Sequence, residues 1–158
     1  MISKVMKQSL FTRLANEQDI QKLFEWRNHP SIRKNSADVN EISWDEHIKW
    51  FRNRHNLIKE IIILLGEIDA QSVGVVTFEI DTVQREARVS IYLVPDSSFK
   101  GWGECLLTKA ELWFRHHHPL IKTFRAHVLP NNDPSKKLFS KLNYTSRISQ
   151  GFYEFIKK

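Results

Sequence analysis

The chain has 158 residues, 41% of them hydrophobic, and carries 24 Lys+Arg against 18 Asp+Glu for a formal net charge of +6, so it holds enough apolar material for one core and too little length for two ordinary domains. Cys105 is the lone cysteine, which excludes an intramolecular disulfide and a cysteine-rich metal site. The basic balance favours an anionic ligand, but without the dense run of a nucleic-acid tail, and the longest aliphatic run, 61–65, falls far short of the ~20 residues that span a bilayer.

In chain order, a first strand is predicted near 10–14. Asn16 then caps a helix whose first turn holds Glu17 and Asp19 and whose buried stripe is Ile20, Leu23 and Phe24, ending at Pro30. Ser43 and Glu46 have capping-box spacing, so a second helix follows with Trp44, His47, Ile48 and Phe51 on one face. The period then changes: 61–68, 73–80 and 87–94 are rich in branched residues and read as a three-stranded meander closed by Pro95 and Asp96. A long helix from near Gly101 carries Leu106, Ala110, Trp113 and Phe114 inward until Pro119. A strand over 123–129, a helix over 132–142 and a closing strand containing Phe152, Phe155 and Ile156, paired with 144–148, complete a mixed α+β domain that spans residues 1–158.

The segment P-D-S-S-F-K-G-W-G-E leaves a strand and enters that long helix, so unpaired amides at the helix N-terminus face whatever sits above them, and phosphate is their natural guest. Gly101 and Gly103 let the backbone approach closely, and consecutive amides form an anion-binding concavity. S-F-K-G-W-G at 98–103 resembles the Q/R-x-x-G-x-G/A pyrophosphate loop of the GNAT acetyltransferases. N-N-D-P-S-K-K-L-F-S-K-L-N-Y at 131–144 resembles that family's N-x-x-S-x-x-L-F/Y-x-x-x-G-F segment. The resemblance implies the GNAT acyl-CoA N-acyltransferase fold, with a central mixed, mostly antiparallel sheet flanked by helices, and acetyl-CoA as acetyl donor without a metal. It further implies a backbone cradle at Phe99, Lys100, Gly101, Trp102, Gly103 and Glu104, with Asn132 and Ser135 on the pantetheine arm. Three positions depart from the pattern. Ser98 stands where Gln or Arg opens the loop, Asn143 and Tyr144 replace Gly-Phe, and Phe139 occupies the place of a tyrosine that protonates the departing thiolate in many relatives.

W-R-N-H-P-S-I-R-K-N-S at 26–36 and I-S-W-D-E-H-I-K-W-F at 42–51 resemble the N-terminal half of acetyltransferases that modify nucleotide-linked amino sugars, including those of the pseudaminic-acid route. The same W-R-N also resembles the branch that acetylates N-termini of ribosomal proteins, so sugar and peptide amines both stay open, as does a degenerate module that binds coenzyme A without turnover. A diphosphate and an aromatic base are met by guanidinium forks and a stacking ring. Arg27, Arg33 and Trp44 are the expected substrate contacts from this region, with Tyr92 added from the meander. The expected partner is a small-molecule amine, with no nucleic acid and no membrane. A homodimer is admitted, and a cytoplasmic location is expected because the N-terminus lacks a secretory apolar stretch.

Attack on a thioester requires a free amine, a partner for the oxyanion and a proton for sulfur. In this family the fourth and fifth strands splay, which exposes backbone amides expected here at Leu93 or Val94. His127, in F-R-A-H-V-L-P, is the preferred base because imidazole titrates near about 6.5. Glu79 in T-F-E-I-D is the other candidate, its facing left open by strand alternation. His116, His117 and His118 diverge by about 100° per residue and suit a helix C-terminus rather than a metal. Cys105 is expected to fill a small buried apolar role.

Overall fold

The computed structural model describes residues 7 and 9–158. Its frame is a seven-stranded sheet in the order β1-β2-β3-β4-β5-β7-β6. The strands are β1 (Phe11–Leu14), β2 (Glu60–Ile68), β3 (Gln71–Asp81), β4 (Glu86–Leu93), β5 (Thr123–Val128), β6 (Thr145–Ser149) and β7 (Phe152–Lys157). Every neighbouring pair is antiparallel except β4 and β5. The helices are α1 (Ile20–Asn28), α2 (Pro30–Arg33), α3 (Trp44–Arg52), α4 (Gly103–His117) and α5 (Asp133–Lys141). This is the mixed, mostly antiparallel α+β fold expected from the sequence. Among the described residues no helix is long and apolar enough to cross a membrane.

The run 61–65 does not alternate because β2 lies inside the sheet with both faces covered, the situation in which a strand reads as continuous apolar sequence. Ile61, Ile63 and Leu65 pack with Leu23 and Phe51 beneath α1 and α3, while Ile62 and Leu64 join the larger core under α4. That larger core contains a stacked Phe78–Phe114 pair with centroids 4.3 Å apart, which fixes α4 against β3. Gly74 on β3 serves the same closeness, since a Cβ there would stand 2.5 Å from Tyr92 O and 2.7 Å from Leu106 Cδ2.

Several boundaries differ from the sequence reading for local reasons. A 3₁₀ turn, Glu17–Asp19, precedes α1, and its cap is reciprocal: Asn16 accepts from Gln18 N while Asp19 accepts from Asn16 N. Pro30 does not merely end α1. His29 breaks the helix with extended backbone, and Pro30 opens α2 at a first-turn position where its missing N–H costs nothing. On α4 the inward positions are Leu106, Leu107, Ala110, Glu111 and Phe114, with Trp113 only half-buried. Glu111 is tolerated inside because Lys157 Nζ reaches it at 2.7 Å and Tyr144 donates to it at 3.3 Å. Asn143 takes φ 69° after α5, the left-handed turn that the replaced glycine would have made.

Candidate active site

β4 and β5 run side by side only over Glu86, Ala87 and Arg88 opposite Thr123, Phe124 and Arg125. Beyond that register β5 stays with β7 and β4 stays with β3, so the sheet opens between them. A cleft of about 1020 Å³ passes through the gap. Both faces of β4 line it, with Arg88, Ser90 and Tyr92 on one side and Val89, Ile91 and Leu93 on the other. Val94 donates its N–H to Val73 O at 2.9 Å and is thereby committed to β3. In an antiparallel ladder the amide one residue earlier points the opposite way, so Leu93 N–H looks into the opening and Val94 does not. Of the two amides expected beside the thioester, Leu93 is the one the geometry leaves available.

One end of the cleft is made of backbone. The helices α3 and α5 have side-chain caps, from Ser43 and Asn132, but the N-terminus of α4 has none. Gly101 sits at φ 93°, a conformation that side-chain-bearing residues rarely adopt, and swings the chain from the turn into α4. Phe99 and Trp102 were expected in the cradle itself, but their rings are buried edge to face at 5.5 Å. Their amides are also spent inside the turn, Trp102 N on Phe99 O at 3.1 Å and Phe99 N on Ser97 Oγ at 3.3 Å. They anchor the turn, and the cleft wall is formed by Lys100, Gly101, Gly103 and Glu104. Across from them Leu138 of α5 comes within 3.4 Å of the position a Cβ on Gly103 would take. Asn132 Oδ1 accepts from Ser135 N at 3.3 Å, which caps α5 and leaves the amide nitrogen of Asn132 to the cleft that both residues line. Uncapped amides, a helix dipole and a glycine entry fit a pyrophosphate, and the groove between α4 and α5 fits the arm that follows it.

The other end is made of side chains from α1, α2, α3 and the 34–42 loop. Arg27 donates Nη2 to Asp38 O at 3.2 Å, while its Nη1 is buried on the cleft wall without a partner among the described residues. His47 donates Nε2–H to Ile20 O at 2.9 Å, which makes Nδ1 a bare acceptor, also buried and unpartnered. Burial holds the His47 imidazole below the usual histidine range against the opposing pull of the Ile20 carbonyl. Trp50 lines the same wall. Trp44 does not: it is half-exposed, with its ring edge-on to Phe24 at 5.1 Å. Arg33 is likewise turned away, donating Nε to Asn28 O at 2.9 Å and Nη1 to Val39 O at 3.1 Å, so it pins the 34–42 loop instead of facing the cleft. His29 joins the two ends. Its Nδ1 accepts from Ser31 N at 3.2 Å and its Nε2 meets Asp96, in the turn that leads into α4, at 2.9 Å.

Between the ends lie the titratable groups. His127 of β5 lines the cleft with its ring against Phe152 at 4.5 Å and Nε2 3.9 Å from Glu154. Burial, and after it Arg88, hold its imidazole below the usual histidine value despite Glu154. Glu79 also lines the cleft, on the face of β3 shared with Val75 and Thr77, which answers the question of its facing. Its carboxylate is paired with Lys59 at 2.6 Å. Tyr92 lines the cleft with its hydroxyl pushed far up by burial, Arg27 pulling it partly back, so it keeps its proton. Phe139 is buried against Tyr144 and Phe155 and is no part of the wall. Sequence reasoning missed Arg88, Ser90 and His47. The first two were marked by the polar alternation R-V-S-I-Y at 88–92, but His47 shares its helical face with core residues and left no separate signal. Among the described residues no cluster of His, Cys, Asp or Glu has the makings of a metal site.

The chain belongs to the GNAT acetyltransferase family, whose domain model matches residues 9–145. It is thus an acetyl-CoA-dependent N-acetyltransferase by family, as the two sequence motifs implied. Acetyltransferase PseH of Campylobacter jejuni serotype O:2 is 28% identical over 132 residues, covering 82% of this chain and 79% of that protein. The crystal structure of C. jejuni N-acetyltransferase PseH matches with a TM-score of 0.68 at 22% identity, over 95% of this chain and 98% of that one. Spermidine N-acetyltransferase from Vibrio cholerae in complex with CoA and spermine matches with a TM-score of 0.76 at 19% identity, over 95% and 93%. At these identities the two structures speak for the fold.

Proposed function

We propose that the chain acetylates the free amine of a nucleotide-linked amino sugar, with acetyl-CoA held by the backbone end of the cleft and the acceptor by the side-chain end. The observation that carries the acceptor reading is Arg27, whose buried Nη1 has no partner on the cleft wall and offers a charged donor where a diphosphate would lie. His47 Nδ1 supplies an acceptor in the same region, and Trp50 supplies a ring for a base. The relatives named PseH, at 28% and 26% identity over most of the chain, support the same reading.

Bound acetyl-CoA supplies an acetyl group activated as a thioester. The amides of Lys100, Gly101, Gly103 and Glu104 bind its pyrophosphate, and Asn132 and Ser135 orient the pantetheine arm. Leu93 N–H stands ready for the oxygen on which charge develops during transfer. His127, kept neutral at pH 7 by its depressed pKa, takes the proton from the acceptor amine directly or through water. Tyr92, which keeps its proton, donates a hydrogen bond to the acceptor. Glu79 is held to Lys59 and serves the electrostatics of the opening, with Arg88 opposite it across β3 and β4.

The test is thiol release from acetyl-CoA in the presence of UDP-linked 4-amino sugars and, separately, of peptides with free N-termini. Turnover with the nucleotide sugar and none with the peptides is expected. Turnover restricted to the peptides would replace the sugar reading by N-terminal acetylation, and CoA binding without turnover on either would make the chain a binding module.

A further inference from the structure

Two lysines on the cofactor half of the cleft have no partner among the described residues. Lys100 in the turn and Lys137 on α5 line the cleft, and neither makes a hydrogen bond, ion pair or ring contact with another described residue. Their neighbours are engaged. Lys136 Nζ donates to Pro130 O at 2.6 Å, meets Asp133 at 3.1 Å and lies over the Tyr153 ring at 4.8 Å. Lys141 is paired with Glu104 at 3.1 Å. The free pair also stands beside the phosphate cradle: Lys100 is one of its residues, and Lys137 adjoins Leu138, the α5 residue whose Cδ2 would lie 3.4 Å from a Cβ on Gly103.

Unpaired ammonium groups next to a helix N-terminus repel its positive end, an arrangement that an additional anion relieves. The amides of the cradle account for the pyrophosphate of coenzyme A, but the molecule also carries a 3′-phosphomonoester with a charge of about −1.5 to −2 at pH 7, as phosphomonoesters do. We propose that Lys100 and Lys137 together seat this 3′-phosphate, so that the enzyme distinguishes coenzyme A from its 3′-dephospho form. The proposal rests on the acetyl-CoA reading of the cleft and adds to it the two residues that choose between the two forms. Lys136 and Lys141, already satisfied by carboxylates and a carbonyl, contribute little to the choice.

Calorimetric titration with CoA and with 3′-dephospho-CoA tests this directly. The wild type is expected to bind CoA roughly tenfold or more tightly than the dephospho form, the scale of one charge-assisted contact. Lys137→Ala and Lys100→Ala should each narrow that gap, and Lys137→Ala, outside the cradle, should leave dephospho-CoA affinity within about twofold, since only the phosphate contact is removed. Lys137→Glu should abolish or reverse the preference, and Lys136→Ala should leave it intact. Equal wild-type affinity for the two ligands, or an equal loss for both in the Lys100 and Lys137 variants, would overturn the phosphate seat and leave the acetyl-CoA reading standing. Failure of the folded wild type to bind either ligand would overturn both.

Discussion

The two ends of the cleft are built from different materials. The end proposed to hold the cofactor presents the backbone of Lys100, Gly101, Gly103 and Glu104, positioned by an uncapped helix and by a glycine at φ 93°. The end proposed to hold the acceptor presents side chains, Arg27, His47 and Trp50, brought together by the packing of short helices over Leu23 and Phe51. Backbone sites demand particular residues at particular spacings, whereas a side-chain wall is assembled from whatever the packing turns inward. On the proposed reading, one end is tied to the donor common to the family and the other is free to set the acceptor.

The sharpest way to separate the ends is the group between them. His127→Ala is expected to lower kcat by roughly 10²–10⁴ with acetyl-CoA affinity unchanged, the range of a positioned general base. Because the His127 pKa is depressed, the base form predominates at pH 7, and activity should fall only as the pH drops below the usual histidine value. That acidic limb should vanish in the variant. Rates within about twofold of wild type would transfer the role to Glu79 or to water.

Next in size is the cradle. At an acetyl-CoA concentration of about 100 Kd the wild type should gain ~2.7 kcal/mol of stability, visible as a raised Tm. Gly103→Val should lose most of that gain, because the added side chain fills the approach between α4 and Leu138. An unchanged ligand-induced shift in folded Gly103→Val would refute the cradle. Arg27→Ala should raise the acceptor KM roughly 10- to 150-fold, as removal of a charged hydrogen bond does, without altering acetyl-CoA affinity. Equal damage to both affinities would mean that the ends are not separable. Smallest is Arg33→Ala, where loss of the two carbonyl contacts should cost about 1 kcal/mol of unfolding free energy with no acceptor-specific change. A selective acceptor defect in that variant would restore Arg33 to the site.

The same contrast explains what the sequence disclosed. Strand and helix positions followed from periodicity, and the Ser43–Glu46 capping box fixed the start of α3 to the residue. The turn at 98–103 and Asn132 were legible through the two family motifs, and the backbone shows why those residues recur in them: Gly101 takes φ 93° and Asn132 caps α5. Trp44 was expected in the cleft and Trp50 lines it instead, since both lie on one nine-residue helix and only the crossing of α3 over α1 decides which ring meets the cleft. Arg33 looked free because it follows a proline in a polar stretch, yet beside a loose pairing with Glu41 at 3.8 Å its hydrogen bonds go to the carbonyls of Asn28 and Val39, which no side-chain pattern marks. Val94 differed from Leu93 only through the ladder with Val73.

Steady-state inhibition by UDP alone addresses the division of the cleft most directly, because UDP carries the diphosphate and base of the proposed acceptor without its amine. UDP should compete with the nucleotide-linked amino sugar and not with acetyl-CoA, and Arg27→Ala should weaken that inhibition. Competition with acetyl-CoA instead, or no inhibition at concentrations that saturate other nucleotide-sugar sites, would contradict a nucleotide seat at the side-chain end.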